Sequence, residues 1–416
     1  MIAGIVCEYN PFHYGHQFQI DKLKQELGAE AIVCALSGNF LQRGEPALIP
    51  KERRAMMALS CGVDLVVELP ALYATRSANW FALGGVSLLA AAGATHLAFG
   101  AETNDLPALV STAERLANPD RVYLEGFRRY LTAGLSFSEA QAKALNDGGH
   151  HNFVPSLPND RLALSYLQII AEKGLPMTPL LIPRSGSAFH DTQLSGGKGR
   201  PASAAAIRKR LGEGAAFYHT RSFDQAKLQA MGVAGHMPAS ALPYLADTRL
   251  VFPSDAAPIQ LALLRRADRQ DLLALPDMNE GLEYRILEAA GRSADLESFY
   301  VHIKTKRYTM TRLQRMVTHL HISYRESHAA FLRDGPPYLR VLGANATGRQ
   351  LLHQARKACP LPIVTKTSQM KALAKDKPHA ANAWEIERRA TGMYSLLSGA
   401  DISGGNPEYF LRSIML

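Results

Sequence analysis

The sequence predicts an α/β protein built on a doubly wound parallel sheet, and three features of the first part of the chain support this. Short apolar runs have the length of buried parallel strands, and they cover residues 2–7, 31–36, 64–69 and 96–99. Stretches with the apolar spacing of helices separate these runs, so strand and helix alternate. A polar cluster follows each run, at the strand end where such sheets bind their ligands.

The elements follow one another in a regular order. The first strand leads through a turn-like segment, residues 8–12, into an amphipathic stretch over residues 17–27. Further helices are predicted between the later strands, over residues 51–61 and 78–92. The carboxyl ends of parallel strands meet at one edge of a sheet. We therefore expect four polar segments to lie there together: residues 8–16, 37–45, 70–77 and 100–102.

The rest of the chain predicts a helical middle region and a small α/β unit at the C-terminus. Residues 103–175 and 214–300 have mainly helical patterns. Between them, a Gly- and Ser-rich segment predicts a mobile stretch over residues 186–203, which leads into a helix over residues 204–211. The C-terminal unit consists of two strands and a helix between them, residues 339–342, 362–365 and 348–359.

Composition indicates a globular protein with an anionic partner. The chain has 416 residues, enough for two or three domains, and its 47% hydrophobic and 20% charged residues exclude disorder for most of it. Lys and Arg number 46 against 37 Asp and Glu, which gives a net charge of +9. This excess suits a nucleic acid, a nucleotide or a phosphorylated metabolite, although a mildly basic solvated surface explains it equally well.

The sequence also predicts a cytoplasmic protein without a metal site. No apolar stretch reaches the roughly 18 residues that a membrane helix needs, and the N-terminus lacks the pattern of a signal peptide. The four cysteines form no CxxC motif, and three of them lie in apolar runs; they are Cys7, Cys34, Cys61 and Cys359. We therefore expect buried free thiols in a reducing compartment and no structural zinc.

The clearest chemical signal is His13-Tyr14-Gly15-His16, which directly follows the first strand and its turn. At a helix start, His13 and His16 lie on the same face. Gly15 lets a phosphate approach the backbone, and the helix N-terminus adds free N–H donors and partial positive charge. The two imidazoles can then stabilise charge on an α-phosphoryl group, so we predict that both are catalytic. Two surface histidines, or half of a metal site, are the alternative interpretations.

Two further segments carry residue types that bind nucleotides. Ser203 is placed to cap a helix whose next turn carries Arg208, and the Gly-rich residues 195–199 before it could close as a lid. Asn159 and Arg184 could each reach the mouth of the sheet. Taken alone, each segment is explained more simply as an ordinary capped helix or loop.

A basic stretch without acidic residues covers residues 301–325. Its cations are Lys304, Lys306, Arg307, Arg312, Arg315 and Arg325, and they are interleaved with Tyr308, Tyr324 and several histidines. An RNA-binding surface needs cations for phosphates and rings for bases. A solvated amphipathic helix would have the same composition.

Taken in order, the motifs resemble those of the bacterial tRNA(Met) cytidine acetate ligase family. The resemblance covers essentially the whole chain and rests on residues 4–16, 37–46, 64–70, 99–102, 158–159, 203–208, 313–316 and 340–345. Tyr14 stands where the family more often has Asn, and Ala101 stands where Ser is usual. Neither difference removes a group that the chemistry obviously needs.

The resemblance implies a nucleotidyltransferase-like fold and an AMP-forming ligase that uses ATP. The enzyme would acetylate the wobble cytidine of elongator tRNA(Met) at N4, with acetate as the acyl donor. By position, it implies that ATP is bound by Val6, Cys7, Glu8, Tyr9, Asn10, Pro11, Phe12, His13, Tyr14, Gly15, His16, Gln17, Phe18, Gln19, Gly100, Asn159 and Arg184. Ser203 and Arg208 complete the expected nucleotide site.

The expected reaction has two steps. Acetate attacks the α-phosphorus of ATP and gives acetyl-adenylate, and the cytidine amine then displaces AMP. Arg184 and Arg208 would hold phosphates. Mg²⁺ would suit the charge of the triphosphate, although no motif requires it. The expected partners are elongator tRNA(Met) and acetate, with no membrane and no protein partner.

The motifs also suggest a division into three parts. Residues 1–212 would form the nucleotidyltransferase-like ATP-binding domain, residues 213–300 a mostly helical region, and residues 301–416 a basic α/β RNA-binding region. Two other functions stay open. An adenylyltransferase for a cofactor precursor shares the HxGH motif but keeps the nucleotide in its product. An ATP-dependent tRNA-binding protein would carry out no chemistry.

Overall fold

The computed structural model describes residues 1–135, 137–147, 155, 157–183, 194, 202–278, 281–305 and 308–416. Within these residues, eight strands form one sheet. They are β1 (Ile2–Cys7), β2 (Ala31–Ser37), β3 (Leu65–Leu69), β4 (His96–Ala101), β5 (Thr178–Pro183), β6 (Leu339–Ala344), β7 (Ile363–Val364) and β8 (Ile414–Met415). All four apolar runs of the first part of the chain are confirmed as strands.

Helices fill the segments between the strands. Those before β5 are α1 (Tyr14–Asp21), α2 (Lys51–Ser60), α3 (Ala71–Ala74), α4 (Ala78–Ala91), α5 (Leu106–Ala117), α6 (Arg121–Thr132), α7 (Phe137–Asn146) and α8 (Pro158–Lys173). A π-helical turn, Lys22–Glu26, continues α1. These helices agree with the pattern predicted around the first four strands and over the region that follows them.

The middle and C-terminal regions are also mainly helical. Between β5 and β6 lie α9 (Ala204–Phe217), α10 (Gln225–Ala230), α11 (Leu242–Leu245), α12 (Pro253–Arg266), α13 (Arg269–Leu273), α14 (Leu282–Arg292), α15 (Leu296–Ile303) and α16 (Met310–His321). After β6 come α17 (Ala346–Ala358), α18 (Thr367–Asp376) and α19 (Pro378–Ser398). Short 3-10 turns cover Val233–His236, Glu326–Ala329, Leu332–Asp334 and Pro407–Tyr409. In the described part of the chain, none of the helices has both the length and the apolar character to cross a bilayer.

The strand order creates a crevice beside β1. The order is β5-β4-β1-β2-β3-β6-β7, with β8 also paired to β6. From β5 to β3 the strands are parallel. The chain moves outward from β1 through β2 and β3, then returns to place β4 on the other side of β1, where Gly4 pairs with Leu97. Ligands of such sheets bind at this reversal, beyond the carboxyl ends of the strands. The predicted fold class is confirmed.

Helices cover both faces of the sheet, which explains why its strands are continuous apolar runs. Every residue of β2 and β3 is buried. Val33 and Val67 join the apolar cluster that includes α4 and α8, whereas Ile32 packs on the opposite face with α2. Helix α4 lies so close to β1 that a Cβ on Gly85 would be 2.6 Å from a methyl carbon of Val6. Only glycine allows this approach.

The C-terminal strands continue the same sheet. Strand β6 runs antiparallel to β3, with Leu65 opposite Ala344 and Val66 opposite Gly343. Strands β7 and β8 pair with the beginning and the end of β6. The α/β unit expected near the C-terminus is therefore attached to the N-terminal sheet by backbone hydrogen bonds, while the proposed domain boundaries remain predictions.

A buried charge network joins the two halves of this sheet. The Lys51 ammonium, at the start of α2, contacts the carboxylates of Glu68, Glu387 (2.9 Å) and Glu408 (2.8 Å). Arg340 on β6 pairs with Glu408 and, at 3.2 Å, with Glu68. All five residues are at most 4% exposed. Three carboxylates face two cations, and burial together with repulsion from Glu68 raises the pKa of Glu387 to about 7.

Replacement of Glu387 by glutamine should flatten the pH dependence of stability. A glutamate in the unfolded chain has a pKa of about 4.3. Between that pH and about pH 7, the folded state therefore keeps a proton that the unfolded state has released. The free energy of unfolding of the native protein therefore falls as pH rises through this window. Thermal unfolding measured between about pH 5 and pH 8 tests this, with the exposed Glu297→Gln as control. An unchanged slope in Glu387→Gln would assign the proton to another group.

Candidate functional site

The HxGH motif forms the N-terminus of α1, at the carboxyl end of β1. His13 is the N-cap residue, and its Nδ1 accepts a hydrogen bond from the N–H of Gly15 (3.0 Å). The N–H of His13 donates to Nδ1 of His16 (3.3 Å). Because both Nδ1 atoms accept, the proton of each neutral imidazole lies on Nε2. The capping interactions thus fix two rings that both donate through Nε2.

Aromatic packing holds the two rings in place. The His13 and His16 ring centroids are 3.9 Å apart. Tyr9 and Phe12 lie against His16 at centroid distances of 4.8 and 5.4 Å. Tyr9 has a left-handed φ of 46°, and its hydroxyl lies 3.3 Å from Sγ of Cys34. The turn after β1 therefore folds inward and forms the floor under the motif.

The residues predicted around the motif take different positions. Tyr9 and Phe12 are buried at 2% and 0% exposure, so their rings support His16 from below. Gln17 donates its side-chain amide to Asp21 (2.8 Å) and to the Cys61 carbonyl (3.2 Å). Contact between ATP and the whole segment from Val6 to Gln19 remains a prediction.

Helix α9 brings Arg208 to the loop that leads into the motif. Ser203 caps this helix by accepting a hydrogen bond from the N–H of Ala206 (3.1 Å), as its sequence pattern predicts. Arg208 Nη1 donates to the carbonyl oxygen of Asn10 (2.8 Å), and Nη2 lies 3.7 Å from Glu45. A guanidinium far away in sequence thus stands beside the turn between β1 and α1.

Asn159 is anchored at the end of β4, which also carries Gly100. The Asn159 amide donates to one carboxylate oxygen of Glu102 (2.5 Å), and the N–H of Asp160 donates to the other (2.9 Å). In return, the Asp160 carboxylate accepts from the N–H groups of Glu102 (2.8 Å) and Thr103 (2.9 Å). This reciprocal set holds the N-terminus of α8 beside the crevice. Arg184 and the Gly-rich residues 195–199 lie outside the described residues.

Arg54 is a structural residue of this site that the sequence did not reveal. Its guanidinium is fully buried and donates to the carbonyl oxygens of Glu8 (2.8 Å), Ser37 (2.9 Å), Gly38 and Ile49 (3.1 Å). One side chain therefore fixes the ends of β1 and β2 and the loop before α2. Burial lowers the pKa of Arg54. The only signal in the sequence is a second cation three residues after Lys51, on the same helix face.

The neighbouring Glu8 carboxylate is held by the backbone. Its Oε1 accepts a hydrogen bond from the N–H of Gln42 (2.8 Å). Burial raises the pKa of Glu8. The loop that starts at Gln42 continues to Glu45, which faces Arg208, so this loop borders the site on the β2 side.

Arg54→Lys should destabilise the protein although it keeps the charge. A lysine ammonium has three donors on a flexible stem and cannot reproduce a planar guanidinium that bonds four carbonyls. We expect the free energy of unfolding in urea to fall by about 2–4 kcal/mol. Arg53→Lys is the matched control, because Arg53 is the exposed neighbour on the same helix. Equal unfolding midpoints for the two variants would contradict the role of Arg54.

The basic stretch at residues 301–325 is only partly a surface, which corrects its predicted role in one respect. Tyr308 and Tyr324 are buried at 4% and 0% exposure, so neither ring can stack on a base from outside. The Lys304 ammonium donates to the carbonyls of Thr305 (2.6 Å) and Tyr308 (2.7 Å). The amphipathic pattern of α16 turns its apolar positions and Arg315 inward. Lys306 and Arg307 lie outside the described residues.

Side chains suited to a metal do not cluster in the described ranges. No group of three His, Cys, Asp or Glu residues there could hold an ion.

Comparison with known proteins identifies relatives over the full length. The family model described as HIGH nucleotidyl transferase matches residues 1–405. A tRNA(Met) cytidine acetate ligase of Syntrophomonas wolfei is 38% identical over 415 residues, which cover 95% of this chain and 94% of that protein. The protein of the same name from Geobacillus sp. is 35% identical, and the match covers 89% of this chain and 90% of the Geobacillus protein.

Solved structures share the fold of this chain over its whole length. Thermotoga maritima TmcAL in its apo form superposes with a TM-score of 0.91 at 29% identity, covering 100% of this chain and 99% of that chain. The same protein bound with alpha-thio ATP superposes with a TM-score of 0.88 at 27% identity, with the same coverage.

Proposed function

This chain belongs to the HIGH nucleotidyl transferase family, and on that basis we propose that it is a tRNA(Met) cytidine acetate ligase. Its relatives of that name match along almost their whole length. The geometric observation that supports the proposal is the pair of Nε2 donors on His13 and His16 at a helix N-terminus, with Arg208 of α9 bonded to the adjoining loop. This arrangement suits displacement at an α-phosphoryl group by a carboxylate.

In the first step, an acetate oxygen attacks the α-phosphorus of ATP. The new O–P bond forms acetyl-adenylate, and the bond to the β-phosphate breaks with release of pyrophosphate. Negative charge grows on the phosphoryl oxygens, where the Nε2–H groups of His13 and His16 and the N–H groups of the first turn of α1 can donate. Arg208 and Arg184 hold phosphates, and Gly100 and Asn159 position the nucleotide.

In the second step, the exocyclic N4 amine of a cytidine attacks the acetyl carbonyl. The C–N bond forms, AMP leaves with the bonding electrons, and the amine loses one proton. The substrate is the wobble cytidine of elongator tRNA(Met), and the basic C-terminal region holds the RNA. Mg²⁺ would neutralise triphosphate charge, but none of the described side chains is assigned to it and neither step above depends on it. The reaction belongs in the cytoplasm, where tRNA and ATP meet.

The test is ATP–pyrophosphate exchange by the pure full-length protein, with and without acetate and tRNA(Met). Exchange should require acetate, because acetyl-adenylate formation is reversible, and added tRNA(Met) should release AMP and become acetylated. An adenylyltransferase would instead retain the nucleotide in a cofactor product. No acetate-dependent exchange, even with tRNA present, would overturn the proposal.

His16→Ala should lower kcat for exchange by about 10²–10³-fold, because it removes one donor to the developing charge. The exposed His353 on α17 provides the matched control, and His353→Ala should exchange at the native rate. Both variants should bind tRNA(Met) as the native protein does. Exchange by His16→Ala within about twofold of the native rate would contradict the catalytic role of His16.

A further inference from the structure

Two buried arginines outside the nucleotide site have guanidinium nitrogens without hydrogen-bond partners among the described residues. Arg76, just before α4, is 3% exposed, and Arg315 on α16 is 9% exposed. Among the described residues, the Arg315 guanidinium makes no hydrogen bond and no ion pair, and its Nε is buried without a partner. Arg76 Nη2 bonds Asp277 (3.5 Å) and its Nη1 forms an ion pair with Glu326 (3.9 Å), but in the described part of the chain Nε and Nη1 have no hydrogen-bond partner.

The surroundings of these arginines are predominantly cationic. Arg312, on the same helix as Arg315, adds a third guanidinium and donates to the Asp277 backbone carbonyl (2.8 Å). Among the described residues, the acids that pair with Arg76 are Asp277 and, at 3.9 Å, Glu326; their side chains are 36% and 64% exposed. Burial lowers the pKa of Arg315 to about 10, where attraction to Asp277 opposes the shift and repulsion from Arg76 and Arg312 adds to it, so Arg315 is still charged at neutral pH. Buried cations of this kind normally have a hydrogen-bonded anion.

Aromatic rings hold Arg76 in a fixed orientation. Its guanidinium carbon lies 5.8 Å from the Trp80 ring centroid and 5.7 Å from that of Tyr324. Contacts with the faces of rings leave the in-plane N–H donors of a guanidinium available for bidentate bonds. His319 beside it adds no charge, because burial and repulsion from Arg76 lower its pKa to about 3. The charge of this cluster therefore comes from its arginines and from the acids Asp277 and Glu326.

A short loop connects this cluster to the nucleotide site. Gly44 packs so closely on α16 that a Cβ there would lie 2.5 Å from the backbone N of Arg315, and its carbonyl accepts from Thr318 (2.8 Å). The same loop reaches Glu8 through Gln42 and Arg208 through Glu45. The arginine cluster is therefore separate from the site where the nucleotide phosphates are proposed to bind, and a single loop connects the two.

Resting on the ligase function proposed above, we propose that Arg76 and Arg315 form a binding site for a backbone phosphate of the substrate RNA. A phosphodiester offers two unesterified oxygens that match the fork of a guanidinium, and its charge would pair with Arg315, which forms no ion pair with the described residues. RNA is favoured over free pyrophosphate as the source, because the reacting triphosphate is held at His13, His16 and Arg208. The Gly44 loop would then place the bound RNA beside the activated acetyl group.

The experiment measures tRNA(Met) binding by the full-length Arg315→Gln variant over a range of salt concentrations. Loss of one buried, charge-assisted contact should weaken binding about tenfold to a hundredfold and reduce the salt slope by about 1. Arg121→Gln is the matched control, since Arg121 is exposed and paired with Glu125 on α6. It removes the same charge and should change the affinity by less than about twofold.

Two further readouts distinguish phosphate binding by Arg315 from a structural role and from a role in adenylate formation. Acetate-dependent ATP–pyrophosphate exchange without RNA should be unchanged in Arg315→Gln, and if the native protein shows no exchange, it is the ligase proposal that fails. The melting temperature of Arg315→Gln should stay equal or rise, because an unpaired buried charge is removed. Native RNA affinity in the variant would overturn the phosphate site. A lower melting temperature or misfolding of the variant would also overturn it, because either result indicates a structural arginine. Altered ATP–pyrophosphate exchange together with native RNA affinity would do the same, because it assigns Arg315 to adenylate formation.

Discussion

The site depends on two cations that helix α2 buries one turn apart. Lys51 meets three carboxylates supplied by β3, α19 and the turn at Glu408, while Arg54 bonds the backbone carbonyls that end β1 and β2. Burying either charge alone would be prohibitive, so each position is tolerable only when its partners are in place. The contacts of Lys51 join the C-terminal segment to the sheet, and those of Arg54 fix the loops that border the crevice. Helix α2 therefore couples distant parts of the chain to the geometry around His13.

This coupling explains how one sheet can serve two substrates. Strand β6 lies antiparallel to β3, and Arg340 extends from it into the same carboxylates that hold Lys51. The elements proposed to bind RNA are thereby continuous with those proposed to bind the nucleotide. The loop between β2 and α2 contacts both, through Glu45 on one side and Gly44 on the other. An RNA bound on α16 would be positioned by the same loop that borders the nucleotide crevice.

Local features were predictable from the sequence, and long-range partnerships were not. The strands at residues 2–7 and 31–36 and the cap formed by Ser203 depend on short segments whose pattern is complete in itself. The position of the HxGH motif directly after β1 was predictable for the same reason, because it too depends on a short local pattern. By contrast, the pairing of β6 with β3 and the burial of Tyr324 depend on partners hundreds of residues away. The sequence does not distinguish a solvated lysine or arginine from a buried one, so the burial of Lys51 and Arg54 could hardly be predicted.

The way each buried guanidinium is bonded distinguishes structural arginines from those that bind ligands. Arg54 uses four of its five N–H donors on backbone carbonyls and is fully buried, so it is not placed to bind a substrate. Arg208 makes one backbone bond and a loose contact of 3.7 Å with Glu45, so donors remain that a phosphate can engage. Arg315 is 9% exposed, whereas Arg54 is fully buried, and within the described chain the Arg315 guanidinium makes no hydrogen bond. Because a largely buried charge without hydrogen bonds destabilises the free protein, an anion that arrives with the substrate would stabilise Arg315 in this position.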